Sequence, residues 1–449
     1  MVVNTGVFKA YDIRGVYPAE LDEDTAYRIG RAFVSFLKCK TVVVGQDKRK
    51  SSPSLFKELT RGITDQGADV VDIGLCDTPY FYSGAAKYEA GIMVTASHNP
   101  AKYNGFKLCR ENAIPISGDT GIEDIRDLVV ANKFKAPKAK GKVVKKDIMH
   151  DFIAHNLKFL NSSVKGNLKM VIDTGNGMGG YTFPKVFTKA NLKDIEMVPL
   201  FFDIDMSFPN HEANPIKLEN VKDLQKAVVK EKADFGVAID GDCDRCVFID
   251  EKGNYISADL MTALVAHELL KTNPGSTVLY DLRSSWATKE FIAENKGKPV
   301  MCRVGHAFIK KQMREVDALF AGELSGHFYF RDSFFTESTI ISTILVINML
   351  REEKKTLSQL IKPLQRYFAS GEINSEVEDK DGRMKELVKL FKKDANSVSN
   401  LDGIKLEFDD WWFNVRPSNT EALLRLNLEA KTKKRMEEMR DKVLAVIRG

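Results

Sequence analysis

This sequence has few of the features that mark secreted, membrane-bound or nucleic-acid-binding proteins. Its six cysteines are scattered over 449 residues, which excludes the dense disulfide framework of a small extracellular protein. The 67 basic residues are nearly balanced by 62 acidic ones, so the net charge of +5 does not require a nucleic acid or an anionic membrane as partner. The longest apolar run, near 339–350, is too short to span a bilayer, and residues 1–7 do not resemble a signal peptide. We therefore expect a cytoplasmic protein that binds neither nucleic acid nor membranes.

The chain is long enough for several hydrophobic cores, and its 43% hydrophobic and 29% charged residues are typical of globular proteins. Apolar segments that end in turns alternate with stretches of helical periodicity, which predicts parallel α/β units. The expected strands lie at 41–44, 70–73, 92–94, 169–173, 197–202, 235–239, 277–280 and 318–320. The sequence has no close internal repeat, only three similar patterns of elements.

Two changes in composition indicate where domains end. The lysine-rich stretch 133–146 has little to bury, which predicts a solvated linker. After Gly371 the sequence becomes highly charged and then alternates apolar and polar residues at 422–428, which is typical of an antiparallel sheet. The predicted fold class is α/β, with three similar mixed α/β domains at 1–150, 151–255 and 256–368 and a C-terminal α+β domain at 369–449.

The most informative segment is the apolar run 91–94 followed by the polar turn 95–100. Ser97 and His98 in this turn place a hydroxyl nucleophile beside an imidazole at the end of a predicted strand. A serine in this position is often only a helix cap, and adjacent side chains of a turn usually point apart. The functional interpretation is strengthened by Lys107, which a turn at Gly105 can bring back towards the charge of a phosphorylated Ser97.

A second polar cluster follows the predicted strand 235–239. Asp240, Asp242 and Asp244 stand at alternate positions, which places three carboxylates on one side of an extended segment. Two carboxylates about 4 Å apart repel by about 4 kcal/mol at an effective dielectric constant of about 20, so the cluster requires a cation. Oxygen ligands favour a hard ion such as Mg²⁺, with open positions for phosphate oxygens. A calcium-binding loop is excluded because Arg245 stands where that loop needs glycine. A solvated acidic turn without a metal is the remaining alternative.

The turn 175–180, after the predicted strand 169–173, satisfies the G-x-G-x-x-G pattern of dinucleotide-binding folds. The acidic residue expected about 20 residues later is Glu196 or Asp203, but Glu196 lies at the start of the next predicted strand rather than at its end. We therefore prefer a tight strand-to-helix connection, and a nicotinamide-dependent oxidoreductase is the alternative from a different class.

Two further loops carry polar side chains suited to a phosphorylated sugar. Glu323, Ser325 and His327 stand at alternate positions, hence on one face of an extended loop where they can bind vicinal hydroxyls. The segment 416–421 gathers hydrogen-bond donors that match the oxygens of a phosphate group. These donors are Arg416, Ser418, Asn419 and Thr420. Alone, either loop can also be explained as a structural turn.

With these loops in order, the sequence closely resembles the α-D-phosphohexomutases, the family of phosphomannomutases and phosphoglucomutases, over essentially its whole length. The segment 8–15 resembles the opening motif of that family and 95–100 its phosphoserine loop. The segments 240–245, 323–327 and 416–420 resemble its magnesium, sugar and phosphate loops. The resemblance implies four domains around a central active-site cleft, each contributing one loop.

The resemblance also implies a mechanism. Phosphorylated Ser97 donates its phosphate to a hexose monophosphate, and the resulting hexose 1,6-bisphosphate reorients and returns its other phosphate to the enzyme. The implied catalytic residues are Ser97, His98, Arg14, Lys107, Arg245 and His306, and the implied substrate-binding residues are Tyr11, Arg283, Glu323, Ser325, His327, Arg416, Ser418, Asn419 and Thr420. The implied cofactors are Mg²⁺, bound by Ser97, Asp240, Asp242 and Asp244, and a hexose 1,6-bisphosphate as activator. His306 and His98 are the two candidates for proton transfer.

The segment 416–421 resembles the phosphomannomutase and phosphoglucomutase branch rather than the phosphoglucosamine mutases, which tend to have Ser-Gly-Thr-Glu-Pro there. Mannose and glucose phosphates differ only at C2, so one sugar loop can accept both. We expect hexose phosphates as partners and a chain that is a monomer or a homodimer. A phosphoglucosamine mutase is the alternative within the family, and a non-catalytic sugar-phosphate-binding protein is the alternative outside enzymes.

Overall fold

The first structural unit is a mixed sheet with helices on both faces. The computed structural model describes residues 3–189, 192, 194–418 and 422–449. The elements of this unit are β1 (Ile13–Val16), α1 (Glu23–Leu37), β2 (Thr41–Gln46), α2 (Ser52–Asp65), β3 (Asp69–Leu75), α3 (Thr78–Ala85), β4 (Ala90–Val94), β5 (Tyr103–Arg110), β6 (Ile114–Pro115), α4 (Ile122–Ala131) and β7 (Val143–Lys145). The strand order is β1-β5-β4-β2-β3-β7, with β6 beside β5. Val42 and Val44 of β2 pack with α1, α2 and α4, whereas Val43 faces α3 in a second core.

The second and third units have smaller sheets of five strands each. The second comprises α5 (Met149–Leu157), β8 (Leu168–Asp173), α6 (Gly179–Lys189), β9 (Ile195–Leu200), α7 (Lys222–Glu231), β10 (Phe235–Ile239), β11 (Cys246–Asp250) and β12 (Tyr255–Ile256). The third comprises α8 (Ala258–Leu270), β13 (Thr277–Asp281), α9 (Trp286–Glu294), β14 (Lys298–Cys302), α10 (His306–Glu315), β15 (Phe320–Gly322), β16 (Phe328–Phe330), β17 (Thr336–Glu337), α11 (Thr339–Glu353) and α12 (Leu357–Ile361).

The fourth unit is an antiparallel sheet with two helices, as its alternating sequence predicts. It comprises β18 (Phe368–Ala369), β19 (Ile373–Glu376), α13 (Lys380–Phe391), β20 (Ser397–Ser399), β21 (Ile404–Glu407), β22 (Trp411–Pro417), β23 (Leu423–Ala430) and α14 (Lys433–Arg448). The strand order is β18-β23-β22-β21-β20, with β19 also paired to β23. This unit has a core of its own between the sheet and both helices.

The three α/β units share one strand topology. In each, a central strand (β2, β8 or β13) lies between two parallel neighbours, and one of these neighbours (β4, β10 or β15) forms an antiparallel hairpin with the next strand (β5, β11 or β16). A third strand (β1, β12 or β17) then pairs antiparallel with the outer strand of the hairpin. The predicted fold class is confirmed, and the hairpin loops 95–102, 240–245 and 323–327 occupy equivalent positions.

One expectation about the connections is wrong. The lysine-rich stretch 133–146 is not entirely linker, because Val143–Lys145 forms β7 and pairs in parallel with β3 at the edge of the first sheet. The expected domain boundary after residue 150 stays a prediction, and α5, which begins at Met149, crosses it. The sequence did not predict β7 because this short strand contains no longer run of apolar residues. Its two valines are about half exposed.

The long apolar run 339–350 is a core helix. In α11 each side chain from Thr339 to Arg351 is buried, and the helix packs in a core that extends through the first three units. None of the helices in the described ranges is both long enough and apolar enough to cross a bilayer.

Candidate active site

Ser97 lies in the β4–β5 hairpin loop, directly after a fully buried strand. Its backbone has a φ of 51°, in the left-handed region that non-glycine residues seldom adopt. Its Oγ lies 3.2 Å from Oδ2 of Asp240 and 3.2 Å from Nδ1 of His98. The predicted nucleophile therefore contacts the predicted acidic cluster, although 143 residues separate Ser97 from Asp240.

The aspartates converge through a turn, whereas we expected an extended segment. The loop 240–245 reverses between β10 and β11, the N–H of Cys243 donates to the carbonyl of Asp240 at 3.2 Å, and Cys243 has a φ of 64°. Alternate residues of an extended strand lie about 6.6 Å apart along the chain. The turn is what brings one carboxylate oxygen each from Asp240, Asp242 and Asp244 within 4.8 Å of one another.

The ammonium of Lys107 faces this cluster. Its Nζ lies 2.8 Å from Oδ2 of Asp242 and 2.5 Å from Oδ2 of Asp244. Burial acts to lower the pKa of Lys107, but the two carboxylates outweigh it and raise that pKa well above its usual value. Burial and the neighbouring aspartates raise the pKa of Asp240 well above its usual range. Burial acts the same way on Asp244, but Lys107 and His327 outweigh it and hold the pKa of Asp244 well below its usual value.

Lys107 reaches the site through strand pairing, and the expected glycine turn is wrong. Lys107 is paired with Met93 in the β4–β5 ladder, so the hairpin itself places it beside the nucleophile loop. Gly105 lies inside β5, where a Cβ would come within 2.1 Å of the carbonyl oxygen of Ile13. The glycine therefore permits the close approach of β1, and this approach places Arg14 opposite Gly105.

Two arginines and a histidine complete the surroundings of Ser97. Nη1 of Arg14 donates to Oδ1 of Asn99 at 3.1 Å, and the guanidinium also pairs with Asp12. Nε of Arg245 lies 3.9 Å from Oδ1 of Asp244. Burial, together with the positive charges of Arg245 and Arg14, lowers the pKa of His98 well below its usual value. These effects favour the neutral imidazole of His98.

The aspartate triad fits a divalent cation. All three side chains are buried, and Oδ1 of Asp242 and Oδ1 of Asp244 accept no hydrogen bond from the part of the chain that the structure describes. Buried carboxylate oxygens normally have a partner. Converging oxygen donors with unused lone pairs suit a hard metal ion with further ligands from a substrate.

The sugar-loop residues are gathered by a tight turn, which corrects the expected extended loop. The N–H of Gly326 donates to the carbonyl of Glu323 at 2.9 Å, and Gly326 has a φ of 84°. Nδ1 of His327 lies 2.8 Å from Oγ of Ser325 and 3.1 Å from Oε2 of Glu323. Burial acts to raise the pKa of Glu323, but His327 and Arg283 outweigh it and keep this carboxyl ionised.

The sugar loop, 323–327, contacts the acidic loop 240–245, which is called the metal loop below. Nε2 of His327 lies 3.5 Å from Oδ1 of Asp244 and 3.3 Å from Nε of Arg245. Two of the equivalent hairpin loops, from the second and third units, are thus in direct contact, while Ser97 brings the loop of the first unit to Asp240.

A cluster of arginines lies where the third and fourth units meet. Arg283 is held by Asp281, and its Nη1 lies 3.5 Å from Oε2 of Glu372. Nη2 of Arg416 donates to the same Oε2 at 3.0 Å, and Nη1 of Arg425 lies 3.6 Å from Oε1. One carboxylate therefore faces three guanidinium groups.

The other predicted phosphate ligands are only partly described. Ser418 follows β22 and is buried, and its N–H donates to the carbonyl of Leu423 at 2.8 Å. Asn419 and Thr420, which the sequence predicts as phosphate ligands, lie outside the described residues.

Tyr11 and His306 meet between the first and third units. His306 begins α10, and its ring centroid lies 5.5 Å from that of Tyr11. Within the described ranges Nδ1 of His306 has no hydrogen-bond partner. Burial and the ammonium groups of Lys310 and Lys107 hold the pKa of His306 well below its usual value.

The glycine turn 175–180 serves packing. A Cβ at Gly177 would lie 2.8 Å from the backbone of Gly241 in the metal loop, and one at Gly180 would lie 2.1 Å from the carbonyl oxygen of Phe202. Gly177 therefore lets this turn approach loop 240–245. The turn itself joins β8 to α6, the connection that the preferred interpretation predicts.

Sequence reasoning missed two charged residues of the site, Arg49 and Glu372. Asp47 and Arg49 directly follow β2, the parallel neighbour of β4, so they lie at the same sheet edge as the Ser97 loop. Their position at the end of a parallel strand could have identified them from the sequence as candidate site residues. No feature of the sequence pointed to Glu372, because its contacts with the arginines join segments that lie far apart in the chain.

Family models and relatives cover the whole chain. Models of phosphoglucomutase/phosphomannomutase match its α/β/α domains I, II and III at 5–136, 149–253 and 257–367 and its C-terminal domain at 372–446. The phosphomannomutase of Escherichia coli K12 is 41% identical over 447 residues, 98% of each chain. A solved phosphoglucomutase/phosphomannomutase family protein from Burkholderia thailandensis has a TM-score of 0.90 at 31% identity and covers 99% of this chain and 97% of its own. The N-acetylphosphoglucosamine mutase of Aspergillus fumigatus, solved with GlcNAc-6P and magnesium, has a TM-score of 0.67 at 14% identity over 98% and 95% of the two chains, a similarity of fold alone.

Proposed function

This chain belongs to the phosphoglucomutase/phosphomannomutase family and is a phosphohexomutase, and from that premise we propose that it interconverts the 6-phosphates and 1-phosphates of mannose, glucose or both. Mannose phosphates lead because the full-length relative of 41% identity is a phosphomannomutase. The observation that supports the chemistry best is the contact between Oγ of Ser97 and the carboxylate of Asp240, at the edge of a buried triad that can hold a cation.

In the proposed reaction, phosphorylated Ser97 transfers its phosphoryl group to a free hydroxyl of a hexose monophosphate. The P–O bond to Ser97 breaks while a P–O bond to the sugar forms, and the proton that the sugar hydroxyl loses is balanced by the proton that the released Oγ of Ser97 gains. The resulting hexose 1,6-bisphosphate turns over and returns its other phosphate to Ser97. A hexose 1,6-bisphosphate is accordingly the proposed activator that charges an unphosphorylated enzyme. His98 is the histidine that contacts Oγ of Ser97, so we propose that it handles the proton of that oxygen during the transfer.

We propose Mg²⁺ as the ion, with Asp240, Asp242, Asp244 and the phosphate on Ser97 as its ligands. When bound, it supplies positive charge that stabilises the transferring phosphoryl group. Lys107, Arg14 and Arg245 add positive potential from three directions, as phosphoryl transfer requires.

The remaining loops orient the sugar. We propose that Glu323, Ser325 and His327 accept and donate hydrogen bonds to sugar hydroxyls, and that Arg283 and Tyr11 border the same space. Arg416, Ser418, Asn419 and Thr420 would bind the phosphate that is not reacting. Both halves of the cycle use one serine, so this set must accept the sugar in two orientations. The proposed division into three α/β domains and a C-terminal domain gives each domain one of these loops.

The phosphoserine is tested by substitution and intact mass. Wild-type protein treated with glucose 1,6-bisphosphate should gain one phosphate, and Ser97→Ala should gain none and lose mutase activity by more than about 10³-fold. Ser342→Ala, which changes a buried serine in α11, is the matched control and should keep both properties. A Ser97→Ala protein that still acquires phosphate and turns over substrate would refute the proposal.

The substrate is tested by assaying the 1-phosphates of mannose, glucose and glucosamine side by side with the same phosphorylated enzyme. We expect kcat/KM to be highest for mannose or glucose 1-phosphate. Preferential turnover of the glucosamine ester would identify a phosphoglucosamine mutase instead.

A further inference from the structure

Arg49 is a buried arginine whose every donor is used, and almost all of them serve the nucleophile loop. The residue is only 2% exposed. Its Nη2 donates to the carbonyl oxygens of Ser97 at 2.8 Å and Asn99 at 2.7 Å, and its Nη1 donates to those of Pro100 at 2.9 Å and Tyr103 at 3.1 Å. A guanidinium has five N–H groups, so these four bonds leave only Nε.

The remaining donor fixes the direction of the guanidinium. Nε of Arg49 donates to Oδ2 of Asp47 at 3.2 Å, and Asp47 is itself fully buried. Its Oδ1 accepts from the backbone N–H of Arg49 at 3.0 Å and from Oγ of Ser52 at 2.5 Å. From the second unit, the ring of Phe208 covers the guanidinium, 5.5 Å from its carbon atom. Arg49 is therefore held in one orientation from three sides.

The bonds to Arg49 matter because the Ser97 loop is not held by regular secondary structure. Ser97 has a φ of 51°, a conformation that costs free energy and persists only where the surroundings enforce it. As the chain turns from β4 into β5, four of its carbonyl groups are directed at this one guanidinium. The metal loop crowds the same carbonyl, since a Cβ at Gly241 would lie 2.7 Å from the carbonyl oxygen of Ser97.

We propose that Arg49 is a positioning residue for phosphoryl transfer and acts through the backbone of residues 97–103 to fix Oγ of Ser97 against the aspartate triad. The inference rests on the proposed function, because it assumes that Ser97 carries the phosphate. Arg49 forms these bonds with backbone carbonyls and holds no substrate group. Asp47 takes part in the same positioning, because its carboxylate orients the guanidinium group of Arg49. A displacement of about 1 Å at a reacting atom can lower the rate by about 100-fold.

The test compares two conservative changes of buried arginines. Arg49→Lys keeps the positive charge and loses the planar fork that reaches four carbonyl groups. Arg351→Lys is the matched control, because Arg351 is also buried, donates through Nε to the carbonyl of Gly166 at 3.1 Å and pairs with Asp194, away from the site. Both variants are measured for thermal unfolding, for kcat and KM with mannose and glucose 1-phosphate, and for the rate at which glucose 1,6-bisphosphate phosphorylates Ser97.

We expect Arg49→Lys to lower kcat and the phosphorylation rate by about 100-fold, with KM within about twofold of wild type. Arg351→Lys should lose stability and keep both rates. A folded Arg49→Lys protein with wild-type kcat would overturn the inference, and so would an equal loss of kcat in Arg351→Lys.

A second variant keeps the inference testable if Arg49→Lys does not fold. Asp47→Asn keeps Arg49 and weakens the contact that orients it, so it should lower kcat by about tenfold without changing KM. If neither Arg49→Lys nor Asp47→Asn folds, Arg49 serves the fold rather than the reaction and the inference fails. The proposed function fails separately: in that case the wild-type protein itself would gain no phosphate on Ser97.

Discussion

Lys107 places its ammonium between Asp242 and Asp244, where a bound divalent cation would also place its charge. The side chain of Lys107 is 9% exposed and that of Asp242 is fully buried, so solvent screens this pair poorly. The lysine therefore has two roles, and unfolding measurements without substrate report only the first. It compensates the triad when no metal is bound, and in the proposed reaction it faces the phosphoryl group.

The change Lys107→Met removes the ammonium group, and its effect on unfolding measures the first role. Removing one partner of a buried ion pair costs about 3–5 kcal/mol, so we expect the free energy of unfolding in EDTA to fall by about that amount. Added Mg²⁺ should then raise the stability of Lys107→Met more than that of wild type, because the ion supplies the missing charge. Denaturant unfolding with EDTA and with Mg²⁺ measures both effects.

The control for this prediction is Lys87→Met. Lys87 pairs with Asp151, but both side chains are about half exposed, so this pair contributes little. Lys87→Met should show the wild-type response to Mg²⁺. Equal stabilisation of Lys107→Met and wild type by Mg²⁺ would contradict the assignment of Lys107 to the empty triad.

His211 gives the molecule a stability that depends on pH. Its Nε2 lies 3.1 Å from Oδ2 of Asp173 at the end of β8. Burial acts to lower the pKa of His211, but the hydrogen bond and charge of Asp173 outweigh it and raise that pKa. A histidine with a raised folded pKa stabilises fully below its unfolded pKa of about 6.5, and this contribution is lost as pH rises through the folded pKa.

We therefore expect the difference in unfolding free energy between wild type and His211→Gln to be largest below about pH 6.5 and to shrink as the pH is raised above it. Denaturant unfolding at several pH values measures this difference. His150→Gln, at a histidine whose side chain is 97% exposed, is the control and should show no such trend. A difference in unfolding free energy that grows as the pH rises would contradict this prediction.

At the scale of elements, a buried ion pair within the third unit holds α10 where it contacts the first unit. One turn after His306, Nζ of Lys310 lies 2.6 Å from Oε2 of Glu337 in β17 and 4.1 Å from the ring centroid of Tyr82 in α3. The side chains of Lys310 and Glu337 are 0% and 2% exposed. Such a pair is costly to break and much less costly to remove whole.

Lys310→Met should lower the free energy of unfolding by about 3–5 kcal/mol, because it leaves the carboxylate of Glu337 buried without its partner. The double variant Lys310→Met/Glu337→Gln should recover much of this loss. A double-mutant cycle by denaturant unfolding measures the coupling. Additive losses from the two single changes would show that the pair does not act as a unit.

The elements also show how far the sequence could predict the site. The buried strands β4, β10 and β15 are apolar runs that end in turns, and this pattern predicts both the strands and the polar loops after them. The shapes of those loops were not predictable. The left-handed backbone at Ser97 and Cys243 lies in loops that contact distant segments of the chain, and the bonds of Arg49 join residues that are 48 positions apart in the sequence.

At the scale of the whole molecule, Glu372 stands at the junction of the third and fourth units. It lies between β18 and β19, directly after Gly371, which has a φ of 70°. Its carboxylate contacts Arg283 of the third unit and Arg416 and Arg425 of the fourth. A substrate phosphate that binds Arg416 must therefore compete with this carboxylate.

The change Glu372→Gln removes the competing charge and keeps the size of the side chain. Because the arginine cluster then carries a greater excess of positive charge, we expect KM for mannose and glucose 1-phosphate to fall by about three- to tenfold, equivalent to about 0.7–1.4 kcal/mol. The same change should destabilise the protein without ligand, since three guanidinium groups lose their shared partner, and added inorganic phosphate should restore part of this stability.

Glu376→Gln is the matched control, because Glu376 lies on β19 of the same unit with its side chain at the surface. It removes one negative charge without touching the arginine cluster, so KM should change by less than about twofold at moderate ionic strength. Steady-state kinetics over a range of salt concentrations separates the local effect from a change in net charge. A rise in KM for Glu372→Gln would mean that the carboxylate orients Arg416 for phosphate rather than competing with it.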